Sequence, residues 1–193
     1  MSHWKAYCLL VTTTGSPLQS CRGGEKEPGA KLEPYSTFTR EGAHRMRPTI
    51  LALDLEVTLF SNAVSQIPRP GLLAFLHRAQ KTFDEVVLFT TLPRHSALRI
   101  ASLLVEEECV PRWFAAIPYM EWDGSTEDLR FMVPQPGQAL LLDDHCPCVL
   151  LNQLELWVEA PLFASPYPAN DCGLQISQSR IVERVSMLSR SPR

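Results

Sequence analysis

The sequence lacks the features expected of a membrane protein or a nucleic-acid-binding protein. No apolar run approaches the roughly 20 residues that a helix needs to span a bilayer. Charges nearly balance over the 193 residues, at a formal net charge of −3, so bulk electrostatics give no reason to expect nucleic acid or an anionic membrane as a partner. We therefore expect a soluble, cytoplasmic protein with one ordinary domain.

The cysteines do not form a pattern that predicts disulfides or a metal site. Six of them are scattered along the chain, which favours free thiols over a disulfide framework. His145, Cys146 and Cys148 invite comparison with a zinc site, but no second Cys or His pair stands at ligand spacing. Structural zinc is therefore not expected.

Residues 1–47 differ from the rest of the sequence. Their single apolar run, at residues 6–11, is short, and the following stretch is rich in Thr, Gly, Ser and Pro without helical or strand periodicity. The run and Cys21 faintly resemble a lipoprotein signal, although the hydrophobic region is weak. Because Met46 directly precedes the first strand pattern, we predict that residues 1–47 are a disordered extension or reflect a misassigned start. The folded domain is predicted at residues 48–190.

From residue 49 onward, strand patterns alternate with amphipathic helix patterns, without internal repeats. Apolar runs typical of strands buried on both faces occur at residues 50–53, 86–90, 139–142 and 156–158. Helical spacing of apolar residues occurs at 72–79, 98–105 and 176–188, and residues 113–119 indicate a short strand or a loop. Residues 68–71 (PRPG) break the chain before the first helix, and Pro93 suits the start of the second. Strands separated by helices predict a parallel sheet with right-handed crossovers, so the fold class is α/β.

Three of the predicted strands end in oxygen-bearing side chains: Asp54, Thr90 and the pair Asp143 and Asp144. Because the carboxyl ends of parallel strands meet at one edge of a sheet, these residues are expected to share one crevice. Alternation also sends Asp54 and Glu56 to the same side while the strand persists, and two such carboxylates suit a nucleophile and its proton-transfer partner. Mg²⁺ prefers oxygen ligands, usually one or two carboxylates with waters and substrate phosphate. The pattern predicts a Mg²⁺ and phosphate site.

Residues 54–59, 86–90 and 140–144 resemble the motifs of the haloacid dehalogenase (HAD) superfamily of phosphatases in order and spacing. The nearest branch is the small, capless phosphatases related to the RNA polymerase tail phosphatases, and the resemblance spans about residues 49–190. It implies a Rossmann-like sheet without a cap domain and a Mg²⁺-dependent phosphomonoester hydrolase with an aspartyl-phosphate intermediate. The partner would be a phosphorylated substrate, either a small molecule or a phosphoprotein.

The same resemblance implies a role for each motif residue. Asp54 would be the nucleophile, Glu56 the general acid and base, and Thr90 a hydrogen-bond donor to the phosphoryl group. Asp143 and Asp144 would hold Mg²⁺ together with Asp54 and the backbone carbonyl of Glu56. A response-regulator receiver combines similar residues, but its acidic pair comes first in the chain, whereas here the pair comes last.

Two positions depart from the family pattern. Glu56 stands where the family has aspartate, which moves the proton donor by about 1.5 Å and remains compatible with acid–base work. Glu127 stands where related phosphatases carry a lysine, and no lysine follows Lys81. A lysine about 4 Å from a phosphoryl group contributes roughly 4 kcal/mol at an effective dielectric near 20. Its replacement by an anion can therefore abolish turnover unless another cation takes its place.

Arg130 is the best candidate for that cation, and Arg94 and His95, close to Thr90 in the sequence, are the alternatives. Two classes of function consequently stay open. The retained motif residues favour a phosphatase, whereas Glu127 favours a catalytically impaired binding module that keeps the fold. Phosphotransfer to an acceptor other than water would use the same residues.

Overall fold

The apolar run that follows Thr49 forms the centre of a parallel sheet, as its composition predicts. The computed structural model describes residues 47–121, 128–133, 137–145 and 151–190. Within these residues the sheet has four strands: β1 (Ile50–Leu53), β2 (Glu85–Leu88), β3 (Ala139–Asp143) and β4 (Trp157–Glu159). Their order is β2-β1-β3-β4, and every pairing is parallel. The α/β fold class predicted from the sequence is confirmed.

Helices flank the sheet and bury part of the apolar residues that their sequence spacing predicts. The described residues contain α1 (Leu72–Thr82), α2 (Arg94–Glu106) and α3 (Gly173–Ser189). Helix α1 contacts α3, whereas α2 contacts the 3₁₀ turn Arg112–Ala116. The chain moves from β1 to β2 in one direction and returns past β1 to β3 in the other. Right-handed crossovers therefore place α1 and α2 on opposite faces of the sheet.

One apolar core joins the strands to the helices. The central strands are fully buried at Leu51, Leu53 and Leu141, and the facing residues Leu76 and Phe114 are equally inaccessible. Burial on both faces explains why these strands are apolar at nearly every position instead of alternating. The core thus surrounds β1 and β3, and these are the strands whose tips carry Asp54 and Asp143.

The structure shifts some element boundaries relative to the sequence patterns. Strand β2 ends at Leu88, two residues before Thr90, because the chain turns there and the Leu92 N–H donates to the Thr90 hydroxyl at 3.4 Å. Residues 113–119 do not form a strand; Tyr119 makes only an isolated bridge to Leu88. Helix α3 begins at Gly173, three residues earlier than the apolar spacing alone indicates.

One apolar residue of α1 lies outside the buried face. Leu73 was expected on the apolar face of α1 but is 42% exposed, because Leu72, Phe75 and Leu76 already define the buried stripe.

In the part of the chain that the structure describes, no helix is long and apolar enough to cross a membrane. The predicted extension (all but Arg47), Glu127 and the Cys146 and Cys148 pair lie outside the described residues.

Candidate functional site

The carboxyl ends of the strands bring the acidic motif residues together. Asp54 follows β1 directly, and its N–H donates to the carbonyl of Leu142 on β3 at 3.0 Å. On the other side of β1, the Phe89 N–H donates to the carbonyl of Leu53 at 2.9 Å. These two bonds continue the sheet ladder by one residue on each side of β1. As a result the carboxyl ends of β1, β2 and β3 lie at one edge of the sheet, with Asp54 in the middle.

Asp54 lies in an environment that opposes its ionisation. Burial raises the pKa of its carboxyl well above the usual range, and the negative charges of Asp143 and Asp144 raise it further. Hydrogen bonds from the Thr90 side chain and the Leu55 backbone lower it only in part. Three carboxylates therefore interact with one another at this edge of the sheet, as the sequence predicted. Such a cluster favours a cation.

The acidic pair at the end of β3, Asp143 and Asp144, is held by neighbouring loops. The backbone N–H of His145 donates to Oδ1 of Asp143, and the Thr58 hydroxyl lies 3.4 Å from Oδ1 of Asp144. The backbone carbonyl of Asp143 accepts from the Trp157 indole N–H at 3.0 Å. Thr58 belongs to the same motif as Asp54, so this loop and the β3 tip orient each other.

Glu56 is positioned by the loop rather than by the strand. Strand β1 ends at Leu53, so the strand alternation that would send Asp54 and Glu56 to one side does not reach Glu56. One carboxylate oxygen of Glu56 instead accepts from the Ala63 N–H at 2.7 Å.

The residue after Glu56 has an unusual backbone conformation. Val57 has a φ of 65°, in the left-handed region that β-branched residues rarely adopt. Its N–H donates to the carbonyl of Phe60 at 2.7 Å, and its carbonyl accepts from the Phe163 N–H at 2.9 Å. Strained backbone of this kind is concentrated at functional sites and persists only where surrounding contacts enforce it. The contacts of Val57 thus hold this loop in a conformation that the residue would rarely adopt by itself.

Sequence reasoning missed Arg69, whose guanidinium is fully buried directly behind this loop. It pairs with Asp171 at 2.7 Å and donates to the backbone carbonyl of Thr58 at 3.1 Å. The sequence pattern around it, a charged residue between two prolines, indicated only a chain break. The available signal was the arginine itself, since a charge beside an apolar helix start calls for a partner elsewhere in the chain.

Arg130, the proposed substitute for the family lysine, is engaged elsewhere in this structure. Its side chain is 59% exposed, and its guanidinium donates to both carboxylate oxygens of Asp128, at 2.6 to 3.0 Å. These hydrogen bonds lower the pKa of Asp128 to about 2. Arg94 similarly pairs with Glu121 at 3.3 Å on the surface. No Lys or Arg of the described residues is among the groups that shift the pKa of Asp54 most.

The donor chemistry of the site suits Mg²⁺ better than zinc. Asp54, Asp143 and Asp144 offer only oxygen atoms, which Mg²⁺ prefers. Among the residues that the structure describes, no group of three or more His, Cys, Asp and Glu side chains is arranged as a complete metal site. Mg²⁺ usually takes one or two carboxylates and completes its octahedron with water and substrate oxygens. The described side chains are thus not arranged as a complete metal site, and the Mg²⁺ ligand set that the motifs imply remains a proposal.

Fold and site together define an α/β protein with an acidic cluster at the carboxyl edge of a parallel sheet. No protein-family model matches the sequence, and no curated protein matches it. Among solved structures, the chain is similar to Fcp1, an essential RNA polymerase II CTD phosphatase, with 13% identity and a TM-score of 0.47 over 76% of this chain and 55% of that chain. It is also similar to a substituted form of fission yeast Fcp1 bound to beryllium fluoride, with 12% identity and a TM-score of 0.45 over 73% of this chain and 51% of that one. The chain thus spans about half the length of both.

Proposed function

We propose that this protein is a Mg²⁺-dependent phosphomonoester hydrolase of the HAD type. The observation that supports this function best is the environment of Asp54. Its carboxyl group is buried at the tip of the central strand, next to Asp143 and Asp144, and receives a hydrogen bond from Thr90. A buried cluster of like charges opposes folding, and a cation with a bound phosphoryl group would relieve it. The motif resemblance independently assigns these four residues to the same site.

In the proposed reaction, a carboxylate oxygen of Asp54 attacks phosphorus in line with the leaving oxygen. A bond forms between Asp54 and phosphorus while the bond to the leaving oxygen breaks, and Glu56 transfers a proton to that oxygen. Water then attacks the phosphorus of the aspartyl phosphate while Glu56 accepts its proton. The bond between phosphorus and the Asp54 oxygen breaks, which releases inorganic phosphate and restores the Asp54 carboxylate. The Thr90 hydroxyl, which already faces Asp54, would donate to a phosphoryl oxygen.

Mg²⁺ would be held by Asp54, Asp143, Asp144 and the carbonyl of Glu56, as the motif resemblance implies. When bound, it would neutralise the negative charge that accumulates on the phosphoryl oxygens. The chain itself supplies the orientation of these groups. The Thr58 hydroxyl bonds Asp144 and the His145 N–H bonds Asp143, so both carboxylates are aligned by short loops.

The proposed substrate is a phosphorylated small molecule or a phosphoprotein. The loop that follows β1 is short: the Ser61 N–H donates to the carbonyl of Ile67 at 2.9 Å, and Phe60 bridges to Pro68. We infer that so short a loop forms no cap domain, which would admit bulky phosphomonoesters. We also propose a cytoplasmic location, on the basis of composition alone.

The decisive experiment compares two Asp→Asn variants at opposite edges of the same sheet. Asp54→Asn removes the proposed nucleophile, whereas Asp84→Asn changes an exposed residue just before β2 and serves as the matched control. On a panel of phosphomonoesters with Mg²⁺, wild type and Asp84→Asn should turn over and Asp54→Asn should not. Persistent turnover in Asp54→Asn would move the chemistry to another residue.

Beryllofluoride with Mg²⁺ provides a readout that does not require turnover, because it mimics an acyl phosphate. It should slow hydrogen exchange in the loop after Asp54 in wild type and fail to do so in Asp54→Asn. Glu56→Gln should keep this binding and lose hydrolysis, since Gln cannot transfer protons. Loss of beryllofluoride binding in Glu56→Gln would contradict the acid–base role and assign Glu56 to the binding of the phosphoryl group.

A binding module without turnover is the second candidate, and the contacts of Arg130 favour it. The guanidinium is paired with Asp128, so Arg130 must leave that carboxylate to contact a phosphoryl group. The Arg130 side chain is exposed although Asp128 is half-buried, and ion pairs open to solvent contribute little to stability. If Arg130 supplies the cation, Arg130→Ala should lower kcat/KM at least about 10²-fold and Glu127→Lys should gain little. If nothing supplies it, wild type should be nearly inert and Glu127→Lys should gain activity.

A further inference from the structure

Arg69 is a charged residue that the proposed mechanism does not use, and its side chain is completely buried. The guanidinium Nε and Nη2 donate to the two carboxylate oxygens of Asp171, at 2.7 and 3.2 Å. Nη1 donates to the backbone carbonyls of Thr58, at 3.1 Å, and Pro161, at 2.7 Å. The guanidinium carbon also lies 5.1 Å from the centre of the Phe163 ring. A buried charge is tolerated only when it is paired this completely.

These contacts join parts of the chain that are far apart in sequence. Thr58 lies in the loop after β1, whereas Pro161 and Asp171 lie between β4 and α3. The same two segments meet again where the Phe163 N–H donates to the carbonyl of Val57 at 2.9 Å. All three guanidinium nitrogens are engaged with protein atoms. Arg69 therefore links these two segments and is not available to a substrate.

Arg69 contacts the part of the loop that faces the acidic cluster. Thr58 receives the Arg69 bond on its carbonyl and directs its hydroxyl at Oδ1 of Asp144, 3.4 Å away. Val57, with its left-handed backbone, separates Thr58 from Glu56. If the carbonyl of Thr58 were released, the strained turn could relax and both neighbouring side chains would shift. Rate is sensitive to such shifts, because a misplacement of about 1 Å can cost about 10²-fold.

We propose that Arg69 is a positioning residue for this site: through the carbonyl of Thr58 it fixes the loop that holds Glu56 and Asp144 in place, with Asp171 orienting its guanidinium. The catalytic part of this proposal rests on the proposed phosphatase function. The geometric part concerns the loop alone. The planar guanidinium of an arginine is required, because one group must bind a carboxylate through two hydrogen bonds and two carbonyls at the same time. A lysine at this position would keep the charge and lose that geometry.

The test uses two conservative variants and a matched control. Arg69→Lys keeps the charge, and Asp171→Asn keeps the shape of the partner in case the first variant does not fold. Arg180→Lys is the control, because Arg180 also bonds a carbonyl and a carboxylate of one residue, Glu159, but on the surface near β4. The fold of each variant is checked by its urea unfolding midpoint before any comparison.

Hydrogen exchange of single amides decides the geometric part, with or without turnover. Both site variants should accelerate exchange at Val57, Phe60 and Ala63 by about tenfold or more, while the amides of β1 and α2 keep their wild-type rates. Arg180→Lys should leave all of them unchanged. Unchanged exchange at the loop overturns the proposal. So does equal acceleration across the whole domain, which would indicate general destabilisation instead of a local role.

Kinetics decide the catalytic part. Arg69→Lys and Asp171→Asn should lower kcat at least about tenfold, with KM changed less than about threefold, and should raise the Mg²⁺ concentration needed for half-maximal activity. Loss of folded protein alone would lower the concentration of active sites, counted by beryllofluoride titration, and leave kcat per site unchanged. That result would overturn the catalytic part. Inert wild type would instead refute the proposed function, and amide exchange would still decide the role of Arg69.

Discussion

Gly173→Ala should be strongly destabilising, although Gly173 is the first residue of a helix, where alanine is usually preferred. A Cβ built on Gly173 would lie 1.7 Å from Nη2 of Arg69 and 2.3 Å from its Cζ. Non-bonded heavy atoms approach to about 3.5 Å, so the guanidinium would have to move by about 1.8 Å. Its bonds to Asp171, now 2.7 and 3.2 Å long, would then exceed hydrogen-bonding distance.

The expected magnitude follows from losing this buried ion pair. Breaking such a pair typically costs about 3–5 kcal/mol, and overpacking alone costs about 1–3 kcal/mol. We expect Gly173→Ala to lower the free energy of unfolding by about 3–5 kcal/mol. For a chain of this length, the melting temperature should fall on the order of 10 °C. Ser179→Ala, at an exposed position of the same helix, should stay within about 0.5 kcal/mol of wild type.

Urea unfolding in two backgrounds separates the clash from other effects of the substitution. A protein that already carries Arg69→Met and Asp171→Asn lacks both the guanidinium and its charged partner. There Gly173→Ala should be neutral, or should stabilise by up to about 1 kcal/mol through helix propensity. The double-mutant cycle should give a coupling of about 3 kcal/mol. An equal cost of Gly173→Ala in both backgrounds would refute the close contact with Arg69.

Three further predictions concern the site and the core. Millimolar Mg²⁺ should raise the melting temperature of wild type, since ligands that bind only the native state stabilise it, and Asp144→Ala should remove most of this rise; a wild type unaffected by Mg²⁺ would contradict the site. In chelator, Asp54→Asn should be more stable than wild type at neutral pH. The raised pKa of Asp54 means that its contribution to stability is present below the unfolded value of 3.8 and is lost as pH rises through the folded pKa. The advantage of the variant in urea titrations should therefore grow with pH, and a constant difference would contradict the buried cluster. Leu141→Ala should cost about 2–5 kcal/mol because Leu141 is fully buried, whereas Leu154→Ala, 37% exposed, should cost far less.

The sequence was sufficient to predict the elements and where the acidic residues meet. Strand and helix patterns are local, since burial on both faces makes a strand such as residues 139–142 apolar throughout, and burial on one face spaces the apolar residues of α1. A parallel sheet then aligns strand tips by geometry alone. For this reason the interaction of Asp54 with Asp143 and Asp144 was predictable without coordinates.

The loops after the strand tips were less predictable, because their conformation depends on backbone contacts that leave no periodic signal. Alternation would have paired Asp54 with Glu56, but the strand ends first and the Ala63 N–H takes one oxygen of Glu56. Arg130 stands at a suitable place in the sequence, yet its guanidinium bonds Asp128, two residues away. In both cases a local hydrogen bond decided where the side chain lies.

The sequence by itself determined the parallel α/β architecture and the cluster of Asp54, Asp143 and Asp144, because both follow from local hydrophobic patterns and from the rule that parallel strands end at one edge. Only the tertiary structure decided how the loop after Asp54 is held. Arg69 and Asp171 are 102 residues apart, and Gly173 is small because of the guanidinium that packs against it. A charge can be buried only where its partner is brought to it by the completed fold, and that partner cannot be identified from spacing along the chain.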